Sequence, residues 1–486
     1  MTPHEQLAKG FEALGAGDYV LAAIAARAVL RAQPDDPGAQ TLLGRLALAA
    51  CRPDVALEIF EALVSPSAPP ATLLDLARAD LDLRREDDAL EAAQAAAAMA
   101  PQWPDAWSMV SEVAIALDLL DVADEALARV LVLKPGDTGA LHLRARIGRA
   151  SEQEVADMER ALATGKLSYR DAANLHYGLS YVYKRSGDSS RFISHVLAAN
   201  AAQRSGFKGP MPNLRASFER QTGAFSREAF ARAATAPPAA LAPIFIIGMP
   251  RSGTTLVEQI IGGAPGVAGA GEQKFFRDVL PAEMEAMTGA QFPEGFDRLS
   301  ADQLSQLAYP LLRLLGAIGN SAPFVTDKTL DNFQRIGLLL HMFPDCKVVC
   351  LRRDPMDTCF SILQQQFNDR IVQTFDLELM GEACRRFSDF MGHWANLFEG
   401  RFLEVQYETL VASPEVQARR LIEFCGLEWN ASHLDFHTRA GAVRTFSDQQ
   451  VRQPISTASI GGWRQFADEL APLRRALEAN GVAYAP

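Results

Sequence analysis

PIFIIGMPRSGTTLVEQIIGGA, residues 243–264, holds three signals in succession. Ile244 to Ile247 form a short apolar, β-branched run, which predicts a buried parallel strand. MPRSGTT follows at once as a tight loop, and LVEQIIGGA reads as a helix. Strand, loop and helix in that order make a phosphate-binding unit, because loop amides and the helix N-terminus together attract an anion. Gly248 and Gly253 keep the G-x4-G frame of a Walker A loop, but Thr254 stands in the place of its lysine and Arg251 lies inside the loop. Without that lysine, ordinary nucleoside triphosphate hydrolysis is disfavoured.

Downstream, each further apolar run delivers polar groups at its carboxyl end. FVTDK places Lys328 there, CKVVCLRRDP places Arg352 and Arg353, and FLEVQYE places Tyr407 and Glu408. Ligands of open α/β sheets bind beyond the carboxyl ends of the strands, so Lys328, Arg353 and the loop are expected in one crevice. A Walker B aspartate, which would hold Mg²⁺, is replaced by the two arginines, and this suits a second phosphate away from the transferred group. Arg353 is expected to face that phosphate and Arg352 to point away, since neighbours on an extended segment alternate sides. Ser361, two turns into the helix predicted for DTCFSILQQQF, adds a hydroxyl donor, and Asp357 is expected to cap that helix.

Upstream, the chain is rich in alanine and leucine with almost no β-branched runs, which argues for many helices. Ala22, Ala56, Ala89 and Ala123 recur about every 34 residues. The small residues Gly10, Gly44, Ala77 and Ser111 precede them, and Pro34, the patch Pro66, Pro69 and Pro70, Pro101 and Pro135 follow. This is the phase of a tetratricopeptide repeat, in which small residues let antiparallel helices approach and proline ends the second helix. A weaker pair surrounds Gly178 and Ser190, and residues 151–170 read as a less regular insertion. Such units stack into a solenoid whose concave face is either a peptide or protein groove or a spacer and dimerisation device. Residues 206–242 read as a mixed connector with a helix in FSREAFARAA. The expected fold is therefore two domains. Residues 1–205 form an all-α tetratricopeptide-repeat solenoid, and residues 243–486 an α/β P-loop-like fold with a parallel sheet.

The 486-residue length fits more than one core, and 48% hydrophobic with 22% charged residues is ordinary for a globular protein. A formal net charge of −12 argues against a nucleic-acid surface. Six cysteines without a C-x-x-C pair support neither a zinc site nor a redox motif and fit a reducing compartment. No apolar stretch reaches transmembrane length and the N-terminus has no signal core, so a cytoplasmic location without membrane contact is expected.

Taken together, these residues resemble the sulfotransferases that use 3′-phosphoadenosine-5′-phosphosulfate (PAPS). The resemblance is to tyrosylprotein sulfotransferases and to bacterial sulfotransferases with tetratricopeptide repeats, and it covers roughly residues 243–486 plus the repeats. It implies that Arg251, Ser252, Gly253, Thr254 and Thr255 hold the phosphosulfate, and that Arg353 and Ser361 hold the 3′-phosphate. Glu272, in GAGEQK, inherits the role of catalytic base, with a solvated loop glutamate as the alternative. Lys328, in TDKTLDNF, matches the lysine that stabilises the transition state, and Tyr407 lies near the nucleotide. Ser447 opens a segment over the adenosine and the sulfate. Three departures stand out: Gln365 where a second 3′-phosphate arginine is expected, Gly462 where a lysine is expected, with Arg464 as its substitute, and Lys274 where an arginine near the acceptor is expected. His341 reads as structural and is the rival to Glu272. For Trp463, packing and adenine stacking are the alternatives. The implied activity is sulfuryl transfer from PAPS to an acceptor hydroxyl, with protein tyrosine as one candidate acceptor and no metal. The rival readings are a P-loop kinase or NTPase and a non-catalytic nucleotide-binding scaffold. The presence of both Glu272 and Lys328 speaks against the scaffold.

Overall fold

The 34-residue spacing translates into helices paired head to tail. The computed structural model of the chain describes residues 2–65, 68–320, 322–368, 371–398, 400–438 and 451–485. Pro66, from the proline-rich patch, lies outside them. Twelve helices come first: α1 (Pro3–Gly15), α2 (Tyr19–Ala32), α3 (Pro37–Ala49), α4 (Pro53–Leu63), α5 (Pro70–Asp82), α6 (Glu86–Met99), α7 (Pro104–Ala116), α8 (Leu120–Leu133), α9 (Thr138–Arg146), α10 (Glu152–Ala163), α11 (Tyr169–Ser186) and α12 (Ser189–Gly206). The second helices stop at Ala32, Met99 and Leu133, just ahead of Pro34, Pro101 and Pro135. Side chains of Asp18, Asp36, Asp137 and Asp188 accept amides at the starts of α2, α3, α9 and α12, which fixes where those helices begin. A methyl on Gly10 would lie 2.5 Å from Leu42 Cδ2, and one on Gly44 2.5 Å from Phe60 Cζ, so close helix approach requires glycine at both. Chain reversals pass through left-handed residues at Gly17, Cys51, Arg84, Asp118, Gly148 and Gly187.

The expected irregular insertion at 151–170 contains a regular helix, α10. Ser151 and Glu154 form a reciprocal capping box at its start, a signal present in the sequence as S-x-x-E. The pair around Gly178 consists of α11 and α12, 18 residues each. In the connector, α13 (Leu214–Ala224) precedes the expected helix, which is α14 (Arg227–Arg232).

From residue 242 the chain alternates strands and helices. Strand β1 (Ala242–Gly248) leads to α15 (Thr254–Ile261), β2 (Val267–Gly269), α16 (Phe275–Asp278), α17 (Leu280–Thr288), α18 (Ala301–Gly319) and β3 (Phe324–Asp327). Then come α19 (Ile336–Met342), β4 (Lys347–Arg352), α20 (Pro355–Leu363), α21 (Leu377–Leu397), β5 (Phe402–Gln406), α22 (Tyr407–Ala412), α23 (Pro414–Phe424) and α24 (Ala471–Ala479). The five strands form one parallel sheet in the order β2-β3-β1-β4-β5. Strand β1 is central, and its residues 243–248 are all buried. Ile244 and Ile246 pack against α15, while Phe245 and Ile247 face the other way, as a sheet covered on both sides requires. Strands β2 and β3 lie on one side of β1 and β4 and β5 on the other, so the winding reverses at β1 and opens a crevice above its carboxyl end.

The two regions share buried surface. One apolar cluster runs from Leu141, Leu175, Leu179 and Phe192 of the helical region to Phe245, Ile247, Trp394 and Leu477 of the α/β region. Helices α1–α8, by contrast, bury their apolar faces in smaller clusters of their own. Hydrogen bonds cross the junction too: Asn200 Nδ2 donates to the Leu363 carbonyl at 2.8 Å, and Gln203 Nε2 to that of Phe367 at 3.0 Å.

Candidate active site

The loop after β1 is built by backbone geometry. Arg251 has φ +68° and Gly253 φ +103°, so the chain curls before α15 starts at Thr254. A methyl on Gly248 would lie 2.6 Å from Ser252 Oγ, and one on Gly253 2.5 Å from Tyr407 Cδ2. Both glycines are therefore demanded by space, and Gly253 also by its torsion. Ser252 is 1% exposed, and among the described residues its Oγ has no hydrogen-bond partner. A buried donor left unsatisfied is costly, and an incoming anion would relieve it.

Arginines close around the loop. Arg251 Nε donates to Ser361 Oγ at 3.0 Å, joining the loop to α20. Arg353, just past β4, donates to the Arg251 carbonyl at 2.9 Å and to the Ser459 carbonyl at 2.8 Å. Its guanidinium sits 4.7 Å from the Tyr407 ring centre, and its buried Nε has no partner among the described residues. Tyr407 Oη and Ser459 Oγ lie 2.8 Å apart. Arg352 turns away, as expected, and pairs with Glu404 on β5 at 2.8 Å. Arg251, Gly253, Arg353, Ser361 and Tyr407 line one cavity of about 710 Å³, to which the helical region adds Lys184. That volume suits a nucleotide-sized ligand.

Lys328 and Glu272 meet at the end of β3. Lys328 Nζ donates to Glu272 Oε1 at 2.8 Å; the lysine is 1% exposed and the carboxylate half exposed. Burial pulls the Lys328 ammonium down, but the carboxylates of Glu272 and Glu258 outweigh it and the net direction is up. The pair is held in register by the loop's own helix. Glu258 of α15 accepts from the Gly271 amide at 3.1 Å and from Thr326 Oγ1 at 3.2 Å, and the Lys328 amide donates to the Gly271 carbonyl at 2.7 Å. Asp327 is fully buried, and burial pushes its carboxyl up to about 7.

The reversals of the helix pairs face this edge. Arg84 Nη1 would be 3.8 Å from a methyl on Gly271, next to Glu272. Asp118 lies 3.7 Å from Arg452, and Gly187 lines the cavity.

Several expected residues fall elsewhere. Asp357 does not cap α20: Asp354 does, accepting the Asp357 amide at 3.0 Å, because Pro355 takes the first helical position. Asp357 instead accepts the Gly461 amide at 2.7 Å. Arg464 lines a neighbouring cavity of about 620 Å³ beside Trp463 and Tyr484, not the one with Arg251. Trp463 is 4% exposed and packs in the core. His341 is structural: its Nδ1 lies 2.8 Å from the Ala234 carbonyl and its ring stacks on Phe230. Ser447 lies outside the described residues. Ser459, Glu258 and Lys184 were not anticipated. Glu258 carried a signal, a lone charge inside the apolar run LVEQII, whereas nothing local marks the other two.

Residues 243–431 match the model of the sulfotransferase family. An uncharacterized protein of Aquifex aeolicus is 29% identical over 338 residues, 68% of this chain and 44% of that one. A putative protein-tyrosine sulfotransferase of Caenorhabditis briggsae is 24% identical over 225 residues, 45% of this chain and 80% of that one. The chain thus spans less than half of the first relative's length. Among solved structures, the sulfotransferase domain of the Synechococcus PCC 7002 olefin synthase is 17% identical, with a TM-score of 0.34 over 52% of this chain and 99% of that one. No helix among the described residues is long and apolar enough to cross a membrane. The match to the sulfotransferase family model is confined to residues 243–431, the stretch that holds β1 to β5 and the loop after β1.

Proposed function

We propose that the protein transfers a sulfuryl group from PAPS to an acceptor hydroxyl, with protein tyrosine as the candidate acceptor, and that the helical region helps present the acceptor. The observation that carries this reading is the 2.8 Å Lys328–Glu272 pair, set beside a phosphate loop that lacks the Walker lysine. The residues present fit the nucleotide. The orphaned Ser252 hydroxyl and Arg353 Nε are polar atoms awaiting partners, and the cavity collects arginines in a chain whose net charge is −12.

PAPS would supply the sulfuryl group. Arg251, Ser252, Gly253, Thr254 and Thr255 would hold the phosphosulfate, and Arg353 with Ser361 the 3′-phosphate, beside Tyr407. Glu272 is half exposed and so reachable by an acceptor, whose hydroxyl proton it would accept. Lys328, buried and charged, would donate toward the oxygen on which negative charge develops. Ser447 is proposed as a further donor. Arg464, assigned to the nucleotide from sequence, lines the neighbouring cavity, and its role there would be to support the segment around Trp463. This scheme calls on lysine, arginine and amides and on no metal.

The division at 1–205, 206–242 and 243–486 is proposed as a division of labour. The helix pairs form a tetratricopeptide-type solenoid, and the α/β region carries the chemistry. The reversal at Arg84 comes close to Gly271, next to Glu272, and the acceptor is proposed to enter from that side. The six unbonded cysteines fit a cytoplasmic enzyme.

Calorimetric titration of the full chain with 3′-phosphoadenosine 5′-phosphate, ATP and AMP, with and without Mg²⁺, tests the donor. Tight binding of the first alone, independent of metal, is the expected result. A preference for ATP with Mg²⁺ would sink the reading.

A further inference from the structure

The cavity beside the phosphate loop is not made by the α/β region alone. Tyr183, Lys184, Gly187, Ser189 and Phe192, from the reversal between α11 and α12, form one of its walls. Lys184 stands at the open rim and donates from Nζ to Gln364 Oε1 at 2.7 Å. Its neighbour one turn earlier, Tyr181, donates from Oη to Gln365 Oε1 at 2.8 Å. Both glutamines belong to the end of the α20 segment, three and four residues beyond Ser361. The helical region therefore grips the same stretch that carries the hydroxyl bonded to Arg251.

Charge gives this contact a purpose. Gln365, which the resemblance to PAPS-dependent sulfotransferases would make a second arginine, is uncharged, so Arg251 and Arg353 are the cations that the α/β region adds to the lining of this cavity. Among the described residues Lys184 has no carboxylate within ion-pair distance; its contacts are an amide oxygen and the Phe192 ring at 5.5 Å. Desolvation in the cleft, and then the like charge of Arg251, pull its ammonium below the ordinary lysine value. Lys184 is exposed at the rim, so its ammonium is free to turn to an anion that enters between it and Ser361.

We propose that Lys184 of the helical region is the missing cation of the donor site, contacting the nucleotide phosphate held near Ser361, so that the anion pocket is shared between the two regions. The inference rests on the PAPS reading above. It also gives Tyr181 a function: by holding Gln365 it keeps an uncharged side chain out of the space the anion needs.

The test is calorimetric titration of the full chain and of Lys184→Gln, Lys184→Arg and Lys184→Gln/Gln365→Arg. The ligands are 3′-phosphoadenosine 5′-phosphate and adenosine 5′-phosphosulfate, the second lacking the 3′-phosphate. Removing one charge-assisted contact is expected to weaken the first ligand by about ten- to a hundredfold and to leave the second nearly unchanged. Lys184→Arg should bind like the parent, and the double variant should recover most of the loss, because the cation returns by the other route. Parent-like binding of the first ligand by Lys184→Gln, equal loss of both ligands, or a double variant no better than Lys184→Gln would each overturn the proposal. If the parent chain binds neither nucleotide, the donor reading falls and takes this inference with it. If the parent binds and Lys184→Gln is unaffected, only this inference falls.

Discussion

Glu272 and Lys328 illustrate how one bond can serve two states. In the structure the carboxylate favours the charged form of the buried ammonium; in the proposed reaction the same carboxylate would turn to the acceptor's proton. Glu272→Gln preserves an oxygen for Lys328 but cannot accept a proton. It should leave binding of 3′-phosphoadenosine 5′-phosphate within about twofold and lower kcat by roughly 10²–10⁴-fold, the usual worth of a general base. Unchanged turnover would remove Glu272 from the chemistry. Asp327, next in sequence to the lysine, has a different signature. Burial pushes its carboxyl up to about 7, well above the ordinary aspartate value of about 4. The folded state thus holds a proton that the unfolded chain releases, and stability falls as pH rises between those two values. Asp327→Asn should flatten that decline, which thermal unfolding from pH 4 to pH 8 would reveal. An unaltered slope would mean that other groups set it.

At the scale of elements, the loop between β1 and α15 was the most legible part of the chain. Its glycines, its strand and its helix all follow from local sequence, and β1 extends only from Ala242 to Gly248 around the expected Ile244–Ile247. The helix pairs were legible for the same reason, since proline and aspartate act within one turn of where they sit. What escaped were contacts between distant segments. Ser459 meets Arg353, and Lys184 meets Gln364, across separations of about a hundred residues or more, and no spacing rule encodes them. Asp357 was misread because the competing cap, Asp354, sits just ahead of the proline that opens α20. Gly253 offers a test at this scale. Gly253→Ala combines a disfavoured torsion with a clash against Tyr407, so it should cost roughly 1–3 kcal/mol and abolish tight nucleotide binding. In a Tyr407→Ala background the clash vanishes and the torsion remains. The stability cost, read from urea unfolding, should therefore shrink without disappearing. An equal cost in both backgrounds would assign all of it to the backbone.

At the scale of the whole molecule, the question is which helices belong energetically to the α/β region. Leu179 of α11 is fully buried in the cluster that reaches Trp394 and Leu477, whereas Leu42 of α3 is fully buried in a cluster confined to the first helices. Leu179→Ala should lower the temperature at which nucleotide binding is lost by an amount matching about 2–5 kcal/mol, while Leu42→Ala should leave that temperature in place. Equal effects would mean that the molecule unfolds as one unit from end to end.

The unequal sharing of buried surface has an evolutionary consequence. Helices α1–α8 bury apolar faces in local clusters of two to four neighbouring helices, so a change among them disturbs nearby interfaces before it reaches the core of the sheet. Helices α11 and α12 have no such liberty, because their inner faces belong to the same core as the central strand. Lineages can therefore vary the reach of the amino-terminal array while inheriting the last pair and the sheet together, as a single heritable block.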